Sequence, residues 1–177
     1  FCYMIRIVTL LLSITLFIGC KSKDKTIKTS ESSINWITIK EAQALMKTKP
    51  KKVIIDVYAV WCGPCQRMAK YTFTDPEVAA YINKHFYAVK FNAEIKQPID
   101  FLNKTYKNPS RTHQLALKIG SKNGQLSYPS IVYFDENFKK IDVIPGYYEP
   151  QEFLFNTKFF GDNIYQKKTF QQYSNQF

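Results

Sequence analysis

Cys62 and Cys65 are separated by Gly63 and Pro64 and preceded by Trp61. Two thiols at this spacing close into a small disulfide ring without moving the backbone, so the pair can take up and release two electrons. They follow a β-branched apolar run and open a stretch that reads as helix. The first thiol then lies over a helix N-terminus, where free N–H groups and the helix dipole favour an anion. Cys62 is therefore expected to be the nucleophile, with a lowered pKa, and Cys65, one turn inward and more buried, the resolving thiol. A merely stabilising disulfide competes poorly, because cross-linking a four-residue loop removes little chain entropy. Half of a zinc site competes poorly too: there is no second Cys-x-x-Cys, and His85 and His113 are the only histidines and lack ligand spacing. No cofactor and no resident metal are expected.

The elements that must hold this pair follow from hydrophobic period and punctuation. Trp36 to Ile39 reads as a short strand, and Thr38 with Glu41 makes a capping box that opens a helix through about Lys47, closed by Pro50. Val53 to Tyr58 is an apolar run broken only by Asp56, which suits a strand buried on both faces. Cys65 to Tyr71 reads as helix. Asp75-Pro76 supplies the N-cap and first residue of another, reaching about His85, and Tyr87 to Phe91 is a second central strand. Ile131 to Phe134 and Lys140 to Ile144 flank the turn residues Asp135 to Asn137 and read as an antiparallel hairpin. Pro150 to Phe160 is a closing helix stopped by Gly161. The long connection from Ala93 to Tyr128 holds helix-like stretches at Ile99 to Tyr106 and Thr112 to Ile119, and connections of this length tend to carry function or shape a groove. The order gives an α/β fold, a central mixed sheet flanked by helices.

The first residues read as an address. Met4 and Arg6 precede the apolar run Ile7 to Ile18, too short to span a membrane and suited to a signal peptide. Phe17-Ile18-Gly19-Cys20 resembles a lipobox, which predicts cleavage before Cys20 and its lipidation. The expected organisation is a signal at 1–19, a polar tether at 20–33, a folded domain at 34–162 and a C-terminal tail at 163–177, whose Tyr165 to Tyr173 stretch is expected to pack loosely. Hydrophobic content of 45% with 16% aromatics excludes a disordered chain. The formal net charge of +11 would suit an anionic partner, but the lysines are dispersed rather than gathered into a basic and aromatic stripe. Nucleic-acid binding is not expected.

Asp56 to Cys65, read Asp-Val-Tyr-Ala-Val-Trp-Cys-Gly-Pro-Cys, resembles the active-site strand and loop of thioredoxins. The resemblance implies the thioredoxin-like fold over roughly residues 34 to 161 and thiol:disulfide exchange with protein substrates. It makes Asp56 the buried carboxylate behind the disulfide, exchanging a proton with Cys65, with its pKa raised by desolvation. It makes Lys90 the strand lysine near that carboxylate. Trp61, Gly63 and Pro64 would line the substrate face. Tyr128-Pro129 resembles the family's cis-proline loop, and Gly146 the glycine at the groove rim. Met68 to Val78 is more similar to the C-terminal domain of the transmembrane disulfide reductase and to exported thioredoxin-family lipoproteins. Gly-Pro between the cysteines resembles the reducing members, which implies a protein disulfide reductase recharged by an upstream donor such as a transmembrane disulfide reductase. Other readings are an oxidase or isomerase, a cytochrome c maturation factor, a copper(I) carrier or a non-catalytic binding lipoprotein. The expected location is a bacterial membrane surface, facing the periplasm or the cell exterior.

Overall fold

The computed structural model describes residues 33–175. Along the chain run β1 (Trp36–Ile37), α1 (Ile39–Thr48), β2 (Lys52–Tyr58), α2 (Gly63–Arg67), a π-helical turn (Met68–Thr72), α3 (Pro76–His85) and β3 (Phe86–Asn92). The long connection then builds β4 (Ile99–Phe101), β5 (Lys104–Tyr106), α4 (Gln114–Gly120), β6 (Ser121–Lys122) and β7 (Gln125–Leu126). The chain closes with β8 (Ser130–Phe134), β9 (Lys140–Pro145), α5 (Pro150–Gly161), a 3₁₀ turn (Ile164–Gln166) and α6 (Phe170–Ser174). The main sheet has the order β1-β3-β2-β8-β9. β1, β3 and β2 are mutually parallel, whereas β8 lies antiparallel to β2 and to β9.

β2 sits at the middle of this sheet, and Val53 to Val57 are all buried because helices cover both faces. Val53, Ile55 and Val57 join Val89, Phe91 and Val132 in one core with Ala42 of α1 and Leu115 of α4. Ile54, on the opposite face, joins Ala88, Ile131 and Tyr133 in a second core with Val78 and Ile82 of α3 and Phe153 of α5. The period of two along one strand thus splits the core into two layers. The expected helix starts are formed as read: Thr38 and Glu41 close a reciprocal capping box, and the Asp75 carboxylate accepts from the N–H groups of Glu77 and Val78.

Two expectations are corrected. Ile99 to Tyr106 is a β-hairpin and not helix. Leu102 (φ 47°) and Asn103 (φ 61°) at its tip are both left-handed, the combination that lets a two-residue turn follow the strand twist. Gln43 of α1 holds that tip, donating to the Asp100 carbonyl at 2.8 Å and accepting from the Leu102 N–H at 3.0 Å. Gly161 is the last residue of α5, as expected, and a Cβ there would collide with the Tyr81 hydroxyl. The tail is not loose. Thr169 and Gln172 form a capping box for α6, and Tyr173 is buried, stacked on Phe155 with ring centroids 4.3 Å apart. Cys20, with the expected signal and nearly all of the tether, lies outside the described residues.

Tyr173→Ala is expected to lower unfolding free energy by about 3–5 kcal/mol, the range for truncating a buried aromatic side chain. Chemical denaturation of the variant checks this, and a change below about 0.5 kcal/mol, the usual effect of a surface substitution, would mean that the tail does not pack.

Candidate functional site

Cys62 and Cys65 are joined in a disulfide, with Cα atoms 5.3 Å apart. Cys62 is the N-cap of α2, and its sulfur accepts from the Cys65 N–H at 3.2 Å. Pro64 stands within the first turn, where its missing N–H deprives the helix of nothing. At Met68 the helix passes into the π turn, closed by the bond from the Phe73 N–H to the Met68 carbonyl at 2.9 Å. Met68 and Thr72 are both buried as a result. The expected difference in cover between the two cysteines is absent in this oxidised form. Cys62 is 4% exposed and Cys65 5%, because the ring of the disulfide tucks both sulfurs beside Ala59, Tyr58 and Tyr128.

Asp56 and Lys90 are opposed in the parallel register of β2 and β3. The Lys90 ammonium stands 4.0 Å from Asp56 Oδ2, while Asp56 Oδ1 is buried with no hydrogen-bond partner. Two effects oppose each other here. A unit charge at 4 Å stabilises the carboxylate by about 4 kcal/mol at an effective dielectric constant near 20, whereas desolvating a carboxylate costs several kcal/mol. Desolvation wins, and the Asp56 pKa is pushed up to about 7. The carboxyl can therefore hold or release a proton near neutral pH. Lys90 is itself held among three rings, with its nitrogen 5.3 Å from the centroids of Trp36 and Tyr58 and 5.6 Å from that of Phe73. It keeps partial solvent access along a groove of about 1120 Å³ between α1 and the β4–β5 hairpin.

The rim of the site comes from three segments. Trp61 is 58% exposed and meets Tyr128 edge-on at 5.8 Å, and Val60 beside it is 63% exposed. The Tyr128–Pro129 bond is cis, and the Pro129 carbonyl accepts from the Gly146 N–H at 2.8 Å. Gly146 has φ +105°, and a Cβ added to it would meet nothing within 4 Å, so backbone conformation and not crowding selects glycine there. Gly63 likewise faces open space. Tyr58 meets both halves of the site, its ring 5.3 Å from the Lys90 nitrogen that faces Asp56 and packed with Tyr128 against Cys62 and Cys65, while Tyr128 carries Trp61 and, through Pro129, Gly146.

Sequence reasoning missed Glu94 and Arg111. The Trp61 indole N–H donates to Glu94 Oε2 at 2.9 Å, and Arg111 Nε donates to Glu94 Oε1 at 2.9 Å. Charged residues in a long connection carry no local mark of such a contact. The aromatic setting of Lys90 was also missed, since Trp36, Tyr58 and Phe73 converge only in the fold. Among the described residues no three His, Cys, Asp or Glu side chains converge as a metal site would need, and no helix is long and apolar enough to cross a membrane.

Fold and bonded cysteine pair together define the class: a thioredoxin-like domain carrying a redox-active Cys-x-x-Cys disulfide. Residues 39–158 match the family model of the thioredoxin-like domain, and the chain belongs to that family. It is 28% identical over 114 residues to the thiol:disulfide interchange protein DsbD of Actinobacillus pleuropneumoniae, a match over 63% of this chain and 17% of that protein. It is 42% identical over 53 residues to DsbD of Escherichia coli, over 28% of this chain and 9% of the relative. The chain therefore spans under a fifth of the length of these curated relatives. Among solved structures, a thioredoxin-fold protein from Helicobacter pylori aligns with a TM-score of 0.54 at 21% identity, covering 84% of this chain and 89% of that one. The DsbH oxidoreductase aligns with the same score at 16% identity, covering 78% and 91%. At these identities the structures speak for the fold.

Because the folded-state pKa of Asp56 lies above the ordinary carboxylate value of about 4, the folded protein binds the proton that the unfolded chain releases between these values. Its unfavourable burial is absent below about pH 4, grows through that window and is complete above about pH 7. Asp56→Asn is thus expected to gain stability over the oxidised wild type as pH rises from 4 to 7, read by denaturant unfolding at several pH values. A stability difference that moves the other way would mean that the ionised Asp56 is a net stabilising partner of Lys90.

Proposed function

We propose that this protein is an extracytoplasmic thiol:disulfide oxidoreductase that reduces disulfides in protein substrates. The observation that carries the reading is a bonded Cys62–Cys65 pair capping a helix N-terminus on the same strand–loop–helix unit as a buried carboxyl whose proton affinity lies near neutrality. In the reduced form the Cys62 thiolate attacks one sulfur of a substrate disulfide, forming a mixed disulfide and expelling the other substrate sulfur as a thiolate. Cys65 then gives its proton to Asp56 and attacks the Cys62 sulfur. The second substrate thiolate leaves, two electrons have passed to the substrate, and the Cys62–Cys65 disulfide is restored. A donor dithiol must return two electrons before the next cycle. The likeness to DsbD proteins supports a donor of the transmembrane disulfide reductase type, and the Gly63-Pro64 dipeptide supports the reducing direction. Exposed Trp61 and Val60, with Tyr128 beside them, would seat the substrate backbone and side chains next to a sulfur that is itself covered.

The reading also takes Cys20 as the lipid-bearing residue of a mature protein held at a membrane surface, on the strength of the lipobox-like Gly19-Cys20 pair. Cys20→Ser is expected to leave the precursor unprocessed or to release the protein from the membrane fraction. Fractionation and intact mass unchanged from wild type would refute the anchor without touching the redox reading.

The roles of the two cysteines are tested by trapping. Among the described residues Cys62 and Cys65 are the only cysteines, so a mixed disulfide on Cys62 has no other resolving thiol in the domain. Cys65→Ser is expected to accumulate covalent adducts in cells, seen as higher-mass species on non-reducing gels that collapse with dithiothreitol. Cys62→Ser should accumulate none. Equal trapping by both variants would overturn the assignment, and no trapping with loss of bound copper in both would favour a copper(I) carrier. A reduction potential for the pair near that of thioredoxin, about −270 mV, supports the reductase, whereas one near about −120 mV would make it an oxidase.

A further inference from the structure

We propose that Arg111, carried by the connection between β3 and β8, is a positioning residue that holds the Trp61 ring at the mouth of the site and thereby sets the affinity for protein substrates. The inference rests on the oxidoreductase reading for its kinetic arm only.

Trp61 is more than half exposed, and an indole in that position samples several rotamers unless something restrains it. Here the restraint comes from the connection. Glu94 uses both carboxylate oxygens, one accepting from the indole N–H and the other from Arg111 Nε. The Arg111 guanidinium also lies 5.3 Å from the Trp61 ring centroid, so the same side chain acts on the ring directly and through Glu94. Tyr128 meets the ring edge-on. The placement of Arg111 is itself built. The Asn108 amide donates to the carbonyls of Glu94, Ile95 and Arg111 at 3.0–3.2 Å, tying the start of the segment to its end. Two residues on, the His113 N–H donates to the Ala93 carbonyl at 2.7 Å, and the fully buried His113 ring caps α4 by accepting from the Leu115 N–H.

An isolated exposed ion pair contributes little to stability. Its effect here is to pre-organise an aromatic side chain, and immobilising such a group before association raises affinity without new contacts. Arginine is the residue that fits, since its planar group bonds a carboxylate and stacks on an indole at once, which an ammonium does not reproduce.

The test uses the full chain with insulin as the protein disulfide and dithiothreitol as the electron donor. Arg111→Ala is expected to raise KM for insulin about two- to fivefold, the effect of one exposed cation–π contact, with kcat and the Cys62–Cys65 potential at the wild-type value. Arg111→Lys keeps the charge and is expected to behave like the alanine variant. In Trp61→Ala the same Arg111 substitutions should change KM no further. The Trp61 indole N–H cross-peak in a ¹⁵N spectrum, assigned by its loss in Trp61→Ala, should move in Arg111→Ala, a readout that needs no turnover. Full activity in Arg111→Lys, or an undiminished Arg111→Ala effect in the Trp61→Ala background, would show that Arg111 acts on the substrate by charge, and the clamp would be wrong. An unmoved indole signal would overturn it as well. Failure of the wild type to reduce insulin, with the indole shift still present, would reject the oxidoreductase reading and leave the clamp standing.

Discussion

Asp56 stands on the central strand of the main sheet, with one oxygen 4.0 Å from Lys90 and the other without a hydrogen-bond partner. Neither strand could shift by one residue without turning its whole alternating set to the opposite face and emptying both cores. The opposition of Asp56 and Lys90 is therefore enforced by the burial of Val53, Ile55 and Val57 on one side and Ile54 on the other. A group that weakens the fold is held in place by the residues that make it. Such a carboxylate would be removed by any drive toward stability alone, and a buried carboxyl titrating near neutrality is what a proton-transfer role requires.

The surroundings of Lys90 refine this balance. A lysine free to swing into solvent would attract the carboxylate weakly, and one in direct contact would hold it ionised. Three rings around the ammonium and a distance of 4.0 Å place it between these limits. Trp36 comes from β1, Tyr58 from the end of β2 and Phe73 from the close of the π turn, so strand and helix both contribute. The π turn matters here, because the extra residue in its hydrogen-bonded ring lets the chain after Met68 bring Phe73 inward.

What could be read in advance was whatever is encoded locally. The cysteine spacing, the β-branched run around Asp56, the Thr38–Glu41 box and Asp75-Pro76 each carry their cause within four or five residues. The hairpin at Ile99 to Tyr106 does not. Its tip depends on Gln43, some 60 residues earlier in the chain, satisfying both sides of a left-handed turn, and Phe101 is buried only because Phe134 and Phe138 stand over it. The tail failed for the same reason: Tyr173 and Phe170 look like residues of a polar segment until Phe155 and Phe159 of α5 offer them a surface. Gly161 shows a subtler gap, since its place at the end of α5 was legible while the Tyr81 hydroxyl that a Cβ there would meet was not.

These contrasts separate two jobs within one site. Proton affinity and sulfur placement depend on β2, β3 and α2, whose register and caps are local or enforced by the core. The exposed lip depends on contacts between distant segments: Trp61 on Glu94 and Arg111, and Tyr128 on the loop before β8. Both cysteines are nearly sealed in the oxidised state, so a partner thiolate could reach their disulfide only after engaging the lip. Affinity and chemistry can then change separately, because Arg111 is exposed, whereas Leu115 of α4 in the same connection is packed with Val53, Ile55 and Val57 of β2. A long connection on a common scaffold is thus the part from which substrate preference is to be read, and Asp56 the part from which the reaction is.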